Sequence, residues 1–320
     1  MSADWNTELE AVAALPVAEQ GTRLVAVGRS IVDGEANGLT AEASQRWVEH
    51  TLRVLDTAGG SGRTRLALGE LLGTFGDPRV LRPADAGYWV TVESDTGIVC
   101  MGRFPVTNAE YQDWVDRGGY DDEAAWSEDG LNWLATVEDP WPVRAKTDGS
   151  APFIVPNQPV VGVSWWEADA YARAHDARLP RADERVWVTR GREKRPYPWC
   201  SPFGEGNANT QEEVLGRPCA VGLYLRDRTP EGVCDLAGNA AEWSADRFGP
   251  YPGAAAPGQA APLGLRSVRG GGFLDPPARQ RAAARTGLPE ATRRVDVGLR
   301  CAYSQAPTQR WDAGERALGL

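Results

Sequence analysis

Two stretches hold the residues best placed to do chemistry. The first is Gly232–Trp243, GVCDLAGNAAEW. Gly238-Asn239 is turn chemistry. Asp235 and Glu242 flank that turn and could bring two carboxylates to one side of it. The backbone carbonyls of Gly238 and Ala240 could add further oxygens, as a hard cation such as Ca2+ requires. The competing reading is a structural turn whose carboxylates meet arginines. The second stretch, residues 266–300, holds eight arginines against Asp275, Glu290 and Asp296. It is read either as an anion-binding patch or as internal struts, since arginine suits bidentate pairing. Pro276-Pro277 fixes two φ angles and favours a rigid exposed loop. Arg279 and Arg281 lie two apart, so on an extended chain they share a face. An exposed loop of this kind would present Arg279 and Arg281 to acidic groups of a partner.

The remaining candidate ligands are sparse. The five cysteines have no CxxC spacing, which argues against a zinc ribbon. The two histidines, His50 and His175, are far apart, which argues against a histidine-based iron or zinc centre. A net charge of −10 argues against nucleic-acid binding. No apolar run is long enough to span a bilayer. The acidic N-terminus lacks the plan of a signal peptide, so a cytoplasmic location is expected.

Elements must position these groups. A chain of 320 residues predicts one large or two unequal domains. Residues 1–84 read as a helical region. Leu9, Val12 and Leu15 precede a proline, and Leu24, Val25 and Val27 mark a second short segment. Thr40 is placed to cap a helix through Leu55. Ser61 is placed to cap another carrying Leu68, Leu71, Leu72 and Phe75, which Gly76-Asp77-Pro78 stops. Residues 85–305 read as the main domain. Trp89–Val92 alternates as a strand, with Ile98–Met101 its hairpin partner across Asp95-Thr96-Gly97. Thr107/Glu110 and Ser164/Glu167 are capping boxes. A further helix is expected over about 181–190. Residues 249–264 read as an exposed loop and 306–320 as a tail.

Six motifs in order carry a family resemblance. They are MGRFPVTNAEY (101–111), PVVGVSWWEADAYARAHDARLPRADERVW (159–187), YPW (197–199), GVCDLAGNAAEW, VRGGGF (268–273) and VGLRCA (297–302). Together they resemble the formylglycine-generating enzyme family, also called the sulfatase-modifying-factor domain, over about residues 86–305. The resemblance implies an irregular, C-type-lectin-like α+β fold. It also implies copper(I) held by two cysteines just after the RGG motif. Here the first of those positions is Asp275, and no cysteine follows Gly272 before Cys301. A carboxylate is a poor copper(I) ligand. In relatives this stretch lines the groove that takes the substrate segment, so the resemblance implies a groove for a protein or peptide lined by Asp275, Arg279 and Arg281. A second branch of the superfamily joins sulfur to histidine derivatives, with iron(II) held by histidines of an appended helical domain. Here the helical region carries only His50. Arg181 and Arg185 stand where the family has a capping Thr and a Trp.

These departures predict no bound copper or iron. They point to a non-catalytic binding or regulatory module for a protein or peptide partner, such as a protease in a bacterial signalling or defence system. The alternative is a metal-dependent oxidative enzyme with a non-standard centre, using Asp275, Glu242 and waters around a hard metal. A glycan or small-molecule binder is the third reading.

Overall fold

The computed structural model describes residues 5–33, 41–57, 61–94, 97–139, 141, 153–200, 202–250 and 264–303. The cap expected at Thr40, the tip at Asp95-Thr96, residues 251–263 and the 306–320 tail lie outside these.

Four helices come first: α1 (Trp5–Ala13), α2 (Val17–Val32), α3 (Ala41–Asp56) and α4 (Gly62–Phe75). Helix α2 is longer than its few apolar residues imply. Its Gly28 explains how it packs: a Cβ there would lie 2.8 Å from the Trp47 ring. Trp47, fully buried on α3, donates its indole N–H to the Leu24 carbonyl at 3.1 Å. Ser61 caps α4 by accepting from Thr64 N. Short helices persist only when tertiary contacts bury a face. Here Leu24, Leu68 and Leu72 share one core with Leu223 and Tyr224 of the main domain. Arg65 of α4 donates to the Leu223 carbonyl across that seam.

The main domain has two small sheets. Strands β1 (Trp89–Ser94), β2 (Gly97–Gly102) and β7 (Ala302–Tyr303) form an antiparallel sheet in the order β1-β2-β7. Strands β3 (Ala241–Arg247), β4 (Leu265–Arg269), β5 (Thr286–Pro289) and β6 (Val297–Gly298) form the other, in the order β5-β4-β3-β6. Both expected capping boxes form, opening α5 (Asn108–Asp116) and α7 (Trp165–Ala174). A box of this kind contributes about 1 kcal/mol. Helix α6 (Glu128–Leu134) starts at the Ser127 cap. Tyr111, Trp114, Trp126, Trp141 and Tyr171 are buried together and fill the core between α5, α7 and the intervening chain. Helix α8 (Ala182–Arg190) packs against β3 and β4. This mixed, irregular arrangement is the α+β class that the motifs imply.

Candidate functional site

The turn before β3 is held in an uncommon backbone conformation. Asp235, Gly238 and Asn239 have φ of 54°, 82° and 61°. A Cβ on residue 238 would lie 2.3 Å from the Asn209 carbonyl oxygen, so only glycine fits there. Asn239 braces the turn. Its Oδ1 accepts from Cys219 N at 2.9 Å, and its Nδ2 donates to Cys219 O at 3.1 Å.

The two carboxylates expected to hold Ca2+ have other partners. Glu242 is buried, and its Oε2 accepts from Arg185 Nε at 2.8 Å. Its Oε1 accepts from Arg300 Nη2 at 2.8 Å. Burial opposes ionisation of Glu242, but Arg185 and Arg300 together outweigh it and hold the carboxyl below its usual range. Asp235 is also buried, with Oδ2 accepting from Gly222 N at 2.7 Å. Burial pushes its pKa up to about 6. Asp227 lies beside it and accepts from the N–H groups of Leu236 and Ala237 at 2.9 Å each. Burial, and then the Asp235 charge, pushes Asp227 well above the usual range. Gly238 N donates to Gly270 O at 3.0 Å, and Ala240 is buried. The set Asp235, Gly238, Ala240 and Glu242 is thus not an open oxygen cage. The oxygens of Glu242 are taken by two guanidinium groups, as in the structural-turn reading.

Strand β4 leads into Gly270-Gly271-Gly272, where the resemblance places the active centre. Close approach demands these glycines. A Cβ would lie 2.5 Å from Gln280 Oε1 at residue 271, and 2.7 Å from Asp296 O at residue 272. Asp275 turns back so that its Oδ2 accepts from Gly272 N at 3.0 Å. Pro277–Gln280 then form one turn of 3₁₀ helix. The extended reading of this stretch is therefore incorrect, and Arg279 and Arg281 do not share a strand face. Arg279 Nη1 donates to Thr286 Oγ1 at 3.3 Å, whereas exposed Arg281 follows the helical turn. Asp275, Arg279, Arg285, Thr286 and Arg294 line a crevice of only about 10 Å³, close to the space one water needs. Arg281 is not among its lining residues.

Most of the other arginines are struts. Arg266 Nε donates to Glu290 at 2.8 Å, Arg293 Nη2 to Glu167 at 2.9 Å and Arg294 Nε to Asp296 at 2.9 Å. Arg269 Nη1 donates to the Ala284 carbonyl at 3.2 Å. Arg185, Asp227 and Thr286 were not identified as site residues from sequence. Only Arg185 gave a signal, through its departure from the family pattern.

The copper or iron of the family needs thiolate or imidazole donors. Cys219, Cys234 and Cys301 are buried, and burial pushes each thiol up, away from the thiolate that a soft metal needs. His50 meets Gln20 Oε1 at 3.1 Å, and His175 Nδ1 meets the Tyr171 carbonyl at 2.8 Å. Among the described residues, no group of three His, Cys, Asp or Glu is placed to hold a metal. The described residues do not fit the family's metal centres.

Residues 98–305 match the model of the sulfatase-modifying factor enzyme 1-like domain. The chain belongs to that family. A hercynine oxygenase of Mycobacterium tuberculosis is 34% identical over 165 residues, which are 48% of this chain and 39% of the relative. An inactive C-alpha-formylglycine-generating enzyme 2 of Bos taurus is 28% identical over 235 residues, 62% of this chain and 75% of the relative. The structure of PvdO from Pseudomonas aeruginosa matches with 21% identity and a TM-score of 0.47, over 68% of this chain and 91% of that one. The chain spans about two fifths of the length of the hercynine oxygenase it matches. The expectation of a non-catalytic binding module is overturned by these matches, because the relatives of higher identity are named as oxygenases. The missing cysteine pair bears on one metal centre and not on enzymatic activity as such. No helix among the described residues is long and apolar enough to cross a membrane.

Proposed function

We propose that this chain is an oxidative enzyme of the sulfatase-modifying-factor superfamily, with a non-standard centre, acting on a small zwitterionic substrate at the crevice beside Gly270–Gly272. The observation that carries the reading is the 34% identity over 165 residues to a hercynine oxygenase. The polar groups at the crevice support it. Asp275 is fixed by a backbone N–H, with Arg279 and Arg294 nearby. An anchored carboxylate beside guanidinium groups suits a substrate that carries both an ammonium and a carboxylate. The crevice admits no more than one water-sized group, so most of the substrate lies over the exposed surface at Leu274 and Arg281.

Oxidation by this superfamily uses a metal, and the described residues supply no donor set for one. No step is therefore derived through one. A cytoplasmic location belongs to the same proposal, since a reducing compartment keeps the five cysteines as free thiols.

Oxygen uptake by the full chain tests the reading, with hercynine plus cysteine and with a cysteine-containing peptide, each with added iron(II) or copper(I). Uptake above the metal-only control is expected in one combination. Asp275→Asn should lower it about tenfold or more. No uptake in any combination ends the oxidative reading.

A further inference from the structure

A second cleft, larger than the crevice at Gly270–Gly272, opens between α8 and β4, with a volume of about 830 Å³. That size suits a small organic molecule. Ser267 of β4 lines it and is only 1% exposed. Its Oγ has no hydrogen-bond partner. An unpaired buried hydroxyl is unfavourable, and rotation of the Ser267 side chain toward the cleft would let a ligand oxygen satisfy it. Val186 and Trp187 of α8 form an apolar wall. Trp187 is pinned there by its indole N–H, which donates to the Glu93 carbonyl at 2.9 Å.

The charges in the cleft are unequal. Asp183 is paired with Arg181 at 3.2 Å, and Asp246 Oδ2 accepts from Ala182 N. The acidic groups of the lining are thus engaged. Arg190, Lys194 and Arg247 also line the cleft, and none of the three has an ion pair among the described residues. Deeper in, the buried Arg269 adds positive charge. In a protein of net charge −10, a local cationic cleft with apolar walls focuses attraction on anions.

We infer that this cleft binds a small organic anion. Its oxyanion headgroup meets Ser267 and the cationic lining, and its flat apolar body lies against Trp187 and Val186. The headgroup is a phosphate or a carboxylate, since both offer charged acceptor oxygens to a hydroxyl and to cationic donors. The inference is independent of the oxidative activity, because the groups that carry it lie outside the crevice at Gly270–Gly272.

Isothermal titration of the full chain tests it, with phenyl phosphate and benzoate as probes and inorganic phosphate as the control that lacks a body. Saturable binding of at least one aromatic anion is expected at millimolar concentration, weakening as salt rises, with inorganic phosphate binding more weakly. Preference between the two aromatic probes identifies the headgroup. The double change Arg190→Glu with Lys194→Glu should weaken binding at least tenfold. Ser267→Ala should weaken it severalfold while raising the melting temperature of the ligand-free protein, because it removes an unpaired buried hydroxyl. Failure of both aromatic probes to bind overturns the inference. So does unchanged binding in a charge-reversed variant that melts like the parent. Should that variant not fold, Ser267→Ala decides alone, and unchanged affinity in it overturns the site.

Discussion

Arg300 and Glu242 form a fully buried ion pair, with Arg300 Nη2 2.8 Å from Glu242 Oε1. The same guanidinium donates to the carbonyls of Gly102 at 2.8 Å, Cys234 at 2.8 Å and Asp235 at 3.0 Å. One side chain therefore ties the end of β2, the turn before β3 and β3 itself. Arg185 approaches Glu242 from α8 and also donates to the Leu236 carbonyl at 2.9 Å.

Removing Arg300 takes one of the two guanidinium partners from buried Glu242 and leaves the buried carbonyls of Gly102, Cys234 and Asp235 without this donor. Arg300→Met should destabilise the fold by about 3–5 kcal/mol, read from the urea midpoint. Arg300→Lys should recover little, because an ammonium has three donors and no planar fork. A loss below about 1 kcal/mol for Arg300→Met would show that water or a shifted Arg185 takes over the role.

Glu110 sets a second expectation, in pH. It belongs to the capping box of α5, and burial raises its pKa from 4.5 to about 7, against the hydrogen bonds from Thr107. The folded protein thus keeps a proton on Glu110 that the unfolded chain releases. Below pH 4.5 both states are protonated and the group is neutral in the balance. Between pH 4.5 and 7 only the unfolded state ionises, so stability falls as pH rises. Above pH 7 the fall is complete, at roughly 3 kcal/mol. Glu110→Gln keeps an acceptor for Thr107 N and should flatten that part of the profile. Asp235, raised to about 6, acts in the same direction, so the variant keeps a slope below pH 6. Denaturant unfolding at pH 5, 6, 7 and 8 reads both effects. Parallel profiles for parent and variant would exclude Glu110 as the source.

The parts of the fold that were legible in the sequence are local. Capping boxes at Thr107 and Ser164 need only residues three apart, and both form. The β1–β2 hairpin follows from alternation and also forms. The arginine-rich stretch departs from the extended expectation at Pro276-Pro277, because a φ fixed near −65° suits the start of a helical turn as well as an extended loop. Asp235 and Glu242 flank a turn, and that spacing is equally compatible with a cation and with arginines. What decides is Arg185, 57 positions before Glu242, and Arg300, 58 positions after it. The α8–β4 cleft draws on residues 181–194, 246–250 and 267–285. No sequence spacing displays that convergence. Of its lining, Arg181 departs from the family pattern, and that departure alone does not reveal a cleft.

The last prediction concerns the seam between α4 and the main domain. Gly69 and Gly73 sit one helical turn apart on α4, so they face the same way. A Cβ on residue 69 would lie 2.8 Å from Ala220 Cβ. On residue 73 it would lie 2.6 Å from Asn157 Oδ1 and 2.7 Å from Val155 Cγ1. Asn157 is fully buried, and its Nδ2 donates to Gly69 O and to Asp77 Oδ2 at 2.8 Å each. Asp77 in turn pairs with Arg79 at 2.7 Å. Burial opposes the Asp77 charge, but Arg79 outweighs it and holds the carboxyl below its usual range. Gly73→Val therefore strikes a side chain that is hydrogen-bonded on two sides and has little freedom to retreat. Overpacking of this kind costs about 1–3 kcal/mol, a drop of roughly 5 °C in melting temperature. The loss should appear together with faster proteolysis between α4 and β1, because α1–α4 share one core with Leu223 and Tyr224 and loosen as a unit. Gly62→Ala is the control. Its Cβ would meet only one Glu213 carboxylate oxygen, at 3.0 Å, so a shift of a few tenths of an ångström relieves it, although Gly206 N and Tyr224 Oη also hold that carboxylate. A Gly73→Val protein that melts and resists protease like the Gly62→Ala protein would show that the seam is loosely packed and that α4 docks by other contacts.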